Sequence, residues 1–307
     1  MYQRKDKKIK MITSLYSLLY KTKNNLIVYR FIKIFLNLYY PIYCRLNRDY
    51  RYIETKENVI ISLTTFPARI NSVWLIIETL LRQTYRPQKI ILWLAKSQFD
   101  SKEKLPKKLL KQEKRGLEIR FCEDDLRSHK KYYYTMKNYP DYFIITVDDD
   151  TFYPENLVEN LFAAHNRNPG SICCNLGHSI VVKDGKIAPY KEWKLRAEGC
   201  DEPSHFLVPI GCEGVLYPPN SLNNNIFDKK QITELCFLAD DLWLKAMATL
   251  NNVKAVKCQS NTITYVNLLT SEISSLNKIN VGQNMNDKQM ENLLNQYPEL
   301  INKWKEG

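Results

Sequence analysis

The chain has 307 residues, 44% of them hydrophobic and 25% charged, with 45 Lys and Arg against 33 Asp and Glu for a formal net charge of +12. That much apolar content excludes a disordered chain and a small stapled scaffold, leaving one large domain or two small ones. Residues 1–51 hold twelve basic and two acidic side chains, so +10 of the +12 lies there and the rest is nearly neutral. Charge gathered at one end reads as an attachment to an anionic membrane surface, and nucleic acid is not expected as a partner.

Residues 1–52 also carry nine of the 20 tyrosines. Residues 10–21 form a weakly amphipathic pattern, and Leu26 to Tyr40 places Arg30, Lys33 and Asn37 on one polar stripe of an otherwise apolar helix, closed by Pro41. A spanning helix needs roughly 20 mostly uncharged residues, and Arg30 and Lys33 interrupt this run. The segment is therefore expected to lie in the membrane interface, basic side chains toward the headgroups; an amphipathic helix packed on the body fits the same pattern. No cleavable signal fits residues 11–20, which lack a small-residue cleavage site. The eight cysteines show no C-x-x-C pair and no histidine at zinc spacing, so reduced thiols in a cytoplasmic protein are expected.

From residue 53 to 307 the chain reads as one domain. Val59–Leu63, Lys89–Leu94, Leu117–Cys122 and Tyr142–Val147 are strands. Between them come an amphipathic helix marked by Ile70, Val73, Trp74, Ile77, Leu80 and Leu81, a Lys-rich helix after Pro106, and a helix over 129–138. Another helix starts at Pro154. This alternation predicts an α/β fold with a doubly wound, mainly parallel sheet, whose ligands gather at the carboxyl ends of its strands. The second half is more irregular: a hairpin about Asp184-Gly185, a turn and short strand over Gly211–Pro219, a helix over Leu238–Leu250, a strand over Val253–Lys257, and a helix over Asp287–Asn295 capped by Asn286.

The nine glycines never occur as G-x-G, and no P-loop, G-x-S-x-G or H-E-x-x-H motif is present. Asp148-Asp149-Asp150, at the end of a buried strand, would repel one another without a cation. Strand alternation puts Asp148 and Asp150 on one side and Asp149 on the other. Two hard oxygen ligands suit Mg²⁺ or Mn²⁺; an acidic loop ahead of Pro154 is the plainer alternative. Asp240-Asp241 opens a helix, where capping alone would explain it, but a carboxylate near a bound cation also suits a general base.

ISLTTFPARI (61–70), the run from His129 to Leu157 containing FIITVDDD, GCEGVLYPP (211–219) and ADDLW (239–243) together resemble a bacterial GT-A-fold glycosyltransferase. It is the nucleotide-sugar-dependent type that builds surface polysaccharide or lipooligosaccharide, and the resemblance covers about residues 58–295. It implies a GT-A-like sheet with an irregular acceptor-side half, and transfer of a sugar from a nucleotide-sugar donor to a glycan or lipid-linked acceptor. Asp148 and Asp150 match the D-x-D that holds Mn²⁺ or Mg²⁺ on the donor diphosphate, Asp150 as direct ligand and Asp148 nearer the ribose or sugar. Asp241 matches the base of inverting members, with Asp240 bonded to a sugar. Thr64, Thr65, Phe66 and Arg69 fall where the nucleoside is received, Lys130, Lys131 and Asp149 beside the donor, and Gly211, Glu213 and Gly214 where backbone approaches the sugar. Many relatives supply a histidine ligand after the base, whereas all four histidines here precede it; Asn284, Asn286, Asp287 or water would be the substitute.

A nucleotidyltransferase would also use paired carboxylates on such a sheet, but with a glycine-rich loop where TTFPAR stands. A non-catalytic membrane or nucleic-acid binder would explain the charge but not the acidic clusters. The expected location is the cytoplasm, peripherally on the inner face of the cell membrane.

Overall fold

The computed structural model describes residues 11–47, 53–54, 57–198, 200–258, 264–270, 282 and 284–306. The basic residues expected in 1–10 and 48–52, and the boundary expected between 52 and 53, lie outside them.

Seven strands form the central sheet: β1 (Val59–Thr64), β2 (Lys89–Ala95), β3 (Leu117–Cys122), β4 (Phe143–Thr146), β5 (Ile172–Cys174), β6 (Val215–Tyr217) and β7 (Ala255–Lys257). Their order is β7-β5-β6-β4-β1-β2-β3. Every neighbouring pair is parallel except those made by β6, which runs antiparallel to both β4 and β5. The mainly parallel sheet is as expected, with one reversed strand wedged into its middle. Side chains alternate as a pleat requires: Ile61 and Leu63 enter one core, and Ile60 enters another on the opposite face.

Helices cover both faces. Two of them, α1 (Met11–Lys21) and α2 (Leu26–Leu46), share a core with β1, α3 (Val73–Leu81) and α5 (Leu157–Arg167); α4 (Lys130–Asn138) lies between α3 and α5 in the chain. Ile12, Tyr16 and Leu19 recur at i, i+4 and i+7, and Ile32, Leu36, Tyr40 and Cys44 at i, i+4, i+8 and i+12. All seven are buried. The amphipathic segment is thus packed on the body, and the break in charge composition does not coincide with a break in packing. Glu155 fixes the start of α1, its carboxylate accepting the backbone N–H groups of Ile12 at 3.0 Å and Thr13 at 2.8 Å. Pro41 does not close α2, which runs on to Leu46. The lost hydrogen bond is offset by burial of Cys44 and by Arg82, whose guanidinium donates to the carbonyl of Asn47 at 2.7 Å beyond the helix end. Among the described residues no helix is long and apolar enough to cross a membrane.

The second face carries α4, α6 (Asp240–Leu250) and α7 (Met285–Gln296). Asn286 lies inside α7 and is buried; Asn284, in the left-handed region at φ 55°, is the residue before it.

Candidate active site

The chain runs from β1 outward to β2 and β3, then returns to lay β4 on the other side of β1. That reversal opens a crevice at the carboxyl ends of β1 and β4, where open parallel sheets hold ligands. From β1 come Thr64 to Arg69 and from β4 the three aspartates. Thr65 donates its hydroxyl to Asp149 Oδ2 at 2.5 Å, and Arg69 donates Nη1–H to Asp149 Oδ1 at 2.6 Å. The other arm of Arg69 reaches Asp150 Oδ2 at 2.9 Å, and its guanidinium carbon lies 5.2 Å from the centre of the Phe66 ring. Thr64 turns away and donates to the Trp93 carbonyl at 2.9 Å.

Strand alternation does not extend into the aspartates, because β4 ends at Thr146 and the chain bends at 149–150. Asp149 and Asp150 therefore share Arg69, while Asp148 points to Lys131. The Lys131 ammonium stands 2.7 Å from Asp148 Oδ1 and 2.9 Å from Asp240 Oδ2. It belongs to the first turn of α4, an unfavourable place for a cation because of the helix dipole; the carboxylates make it favourable. Ser62 on β1 fixes the turn by donating to the Lys131 carbonyl. Lys130, its neighbour, points away and pairs with Asp125, so only one of the two lysines enters the crevice.

The turn at 211–214 forms the opposite wall. Gly211 donates its backbone N–H to Asp241 Oδ1 at 3.0 Å, and a Cβ there would fall 2.9 Å from Lys131 Nζ and 3.2 Å from Asp241 Oδ1. Gly214 sits at φ 91°, pressed against Leu157. The Glu213 side chain faces inward to Arg196 Nη2 at 2.9 Å and the Tyr265 N–H at 3.3 Å, holding the wall from behind. Tyr153 ties the two walls together: its hydroxyl accepts the Asp148 N–H at 2.8 Å and donates to the Cys212 carbonyl at 2.9 Å.

Electrostatics separates the carboxylates. Loss of water raises the Asp241 carboxyl well above the usual range, and Asp240 and Asp148 add to it while Lys131 opposes them. Burial also works against ionisation of Asp240, but Lys131 and His129 outweigh it and hold that group below its ordinary value. Asp150 is pushed up to about 7 by burial and then by Asp149. Lys131 is held protonated by Asp148, Asp240 and Asp241 against the cost of burial. His129 is lowered to about 4 by burial, its ring nitrogens engaged by the Tyr132 hydroxyl at 2.8 Å and the Cys236 carbonyl at 2.9 Å.

Five carboxylates (Asp148, Asp149, Asp150, Asp240 and Asp241) thus meet two resident cations, Arg69 and Lys131. The excess of negative charge fits a further cation. Among the described residues no three His, Cys, Asp or Glu side chains converge to hold a metal by themselves. Asp148 is the more open of the D-x-D pair, with 34% of its side chain exposed against 12% for Asp150. Asp287 is spent elsewhere, accepting the Tyr190 N–H at 2.6 Å.

Tyr153, Ser62 and Glu155 carry no sequence signal that marks them: one is a tyrosine among 20, one sits inside a strand, and one follows a proline. The pairing of Lys131 with both acidic clusters is legible only once α4 and α6 are placed on the same face.

No protein-family model matches the chain, and no curated protein sequence matches it. Among solved structures it is similar to residues 1–349 of S. aureus TarS, at 12% identity and a TM-score of 0.43, over 79% of this chain and 73% of that one. It is also similar to the UTP-bound UGPase from Acinetobacter baumannii, at 9% identity and a TM-score of 0.39, over 81% of this chain and 97% of that one.

Proposed function

We propose that the protein is a glycosyltransferase that moves a sugar, with inversion, from a nucleotide-sugar donor to a glycan or lipid-linked acceptor in surface polysaccharide or lipooligosaccharide synthesis, working at the inner face of the cell membrane. One observation carries the reading: two acidic clusters far apart in sequence meet about Lys131 and Gly211 at the switch point of the sheet.

The nucleoside would lie against the Thr64 to Arg69 loop. Asp148 and Asp150 would hold Mn²⁺ or Mg²⁺, which when bound neutralises charge on the departing diphosphate. Asp241 Oδ1 is held by the Gly211 N–H, leaving Oδ2 to take the proton of the attacking acceptor hydroxyl. A carboxylate whose pKa is raised above the ordinary range is, once ionised, a stronger base than an ordinary one. Lys131 keeps Asp240 ionised, and Asp240 is then an acceptor for a sugar hydroxyl.

The test is a panel of nucleotide sugars with Mn²⁺, read by thermal shift and by donor hydrolysis, beside a pyrophosphate-exchange assay. A donor that stabilises the wild type and is slowly hydrolysed supports the reading. Exchange of pyrophosphate into a nucleotide sugar, or no donor bound by any measure, would overturn it.

A further inference from the structure

The face of α2 turned away from the core is itself apolar. Ile27, Phe31, Ile34, Leu38, Ile42 and Leu46 follow one another at steps of four or three and are 51–78% exposed. They form a ridge about 28 Å long on the side opposite Ile32, Leu36, Tyr40 and Cys44. Among the described residues, ten of the twelve large exposed hydrophobic side chains lie between Leu18 and Leu46. A helix apolar on both sides is normally buried on both sides, and the described residues cover only one.

Charge identifies what covers the other. Residues 11–47 contain Lys21, Lys23, Arg30, Lys33 and Arg45 and no Asp or Glu. One edge of the ridge carries Arg30, and the opposite edge carries an aromatic ladder, Phe31 to Phe35 at 6.4 Å and Phe35 to Tyr39 at 4.9 Å between ring centroids. A second copy of the chain would bring two such all-basic surfaces together, whereas an anionic lipid surface complements them. We infer that the outer face of α2 inserts its apolar ridge into an anionic bilayer surface, with Arg30 and Arg45 at the headgroups.

This deepens the membrane placement proposed above and rests on it. Of the polar stripe, Asn37 is bonded to the body: it accepts the Leu269 N–H at 3.0 Å and donates to the Asn267 carbonyl at 3.4 Å. The next link is direct, since the Leu268 N–H donates to the Asp150 carbonyl at 2.7 Å. The inserting helix therefore backs onto the aspartate loop and holds the crevice at a set place above the surface.

The experiment is co-sedimentation of the full chain with phosphatidylglycerol-containing vesicles and with phosphatidylcholine vesicles, alongside size-exclusion chromatography with light scattering. Wild type is expected to bind the anionic vesicles. The triple variant Phe31→Ser, Ile34→Ser, Leu38→Ser is expected to lose roughly tenfold or more in partitioning while its melting temperature and nucleotide-sugar binding stay at the wild-type value. Arg30→Gln with Arg45→Gln is expected to weaken the preference for anionic lipid. Unchanged vesicle binding by the triple variant overturns the proposal, as does a wild-type dimer that ignores vesicles and that the triple variant splits. If no nucleotide sugar binds while vesicle binding behaves as stated, the chemistry falls and the docking face stands.

Discussion

Lys131 places its ammonium 2.9 Å from Asp240, and the same nitrogen is 2.7 Å from Asp148. One buried cation from the first turn of α4 thus joins the aspartate loop after β4 to the acidic start of α6. Remove it, and three carboxylates face one another across the crevice.

Lys131 lowers the Asp241 carboxyl that burial, Asp240 and Asp148 raise. The base works ionised, so the transfer rate should climb with pH through the Asp241 pKa. In Lys131→Met that pKa rises further, and the acid limb of the pH–rate profile is expected to move to higher pH, with the plateau lower by roughly a hundredfold. Rates at saturating donor across the pH range check this.

Gly211 has no room for a side chain, since a Cβ would lie 2.9 Å from Lys131 Nζ and 3.2 Å from Asp241 Oδ1. The lysine tip can yield, but only by leaving its carboxylates. Gly211→Ala is expected to lower kcat by about tenfold to a hundredfold with a melting temperature near that of wild type, measured by steady-state kinetics and calorimetry.

The inner faces of the N-terminal helices belong to the core. Glu155→Ala strands the buried N–H of Ile12 and the part-buried N–H of Thr13 and is expected to cost about 1–3 kcal/mol in chemical denaturation, with Glu155→Gln intermediate. Removing residues 1–47 would uncover the core shared with α3 and α5, so the shortened chain is expected to be insoluble or unfolded by circular dichroism.

Lys245 is buried within α6, and among the described residues its ammonium has no hydrogen-bond partner. Burial lowers it to about 7. In the unfolded chain it titrates near 10.4, so between those values the unfolded state binds more protons and stability rises with pH. Lys245→Met is expected to flatten this slope and to stabilise the protein at pH 6–7 by a few kcal/mol. Denaturation at pH 6 and pH 9 measures both effects.

Much of this was legible in the sequence, for physical reasons. VIISL, KIILWL and FIITV are short apolar runs rich in β-branched residues that suit buried strands, and an acidic cluster immediately after one of them falls at a carboxyl end. Helical phase was not legible: Lys130 and Lys131 are adjacent, and which one enters the crevice depends on a rotation of about 100°. Nor could periodicity choose the inner face of α2, because both faces are apolar and the basic stripe lies along an edge. Pro41 looked like a stop because its local cost is visible in sequence, whereas the burial of Cys44 and the capping by Arg82 are not. The side-chain directions of Asp149 and Asp150 followed from the early end of β4, which composition does not reveal.

The most direct test of the central reading separates binding from chemistry at Asp241. Titration calorimetry of a nucleotide sugar with Mn²⁺, beside single-turnover transfer to an acceptor glycan, is carried out on wild type and Asp241→Asn. Donor affinity within about threefold of wild type with transfer down by roughly a thousandfold or more is the expected result. Transfer retained within tenfold in Asp241→Asn, or no donor binding by the wild type, would contradict it.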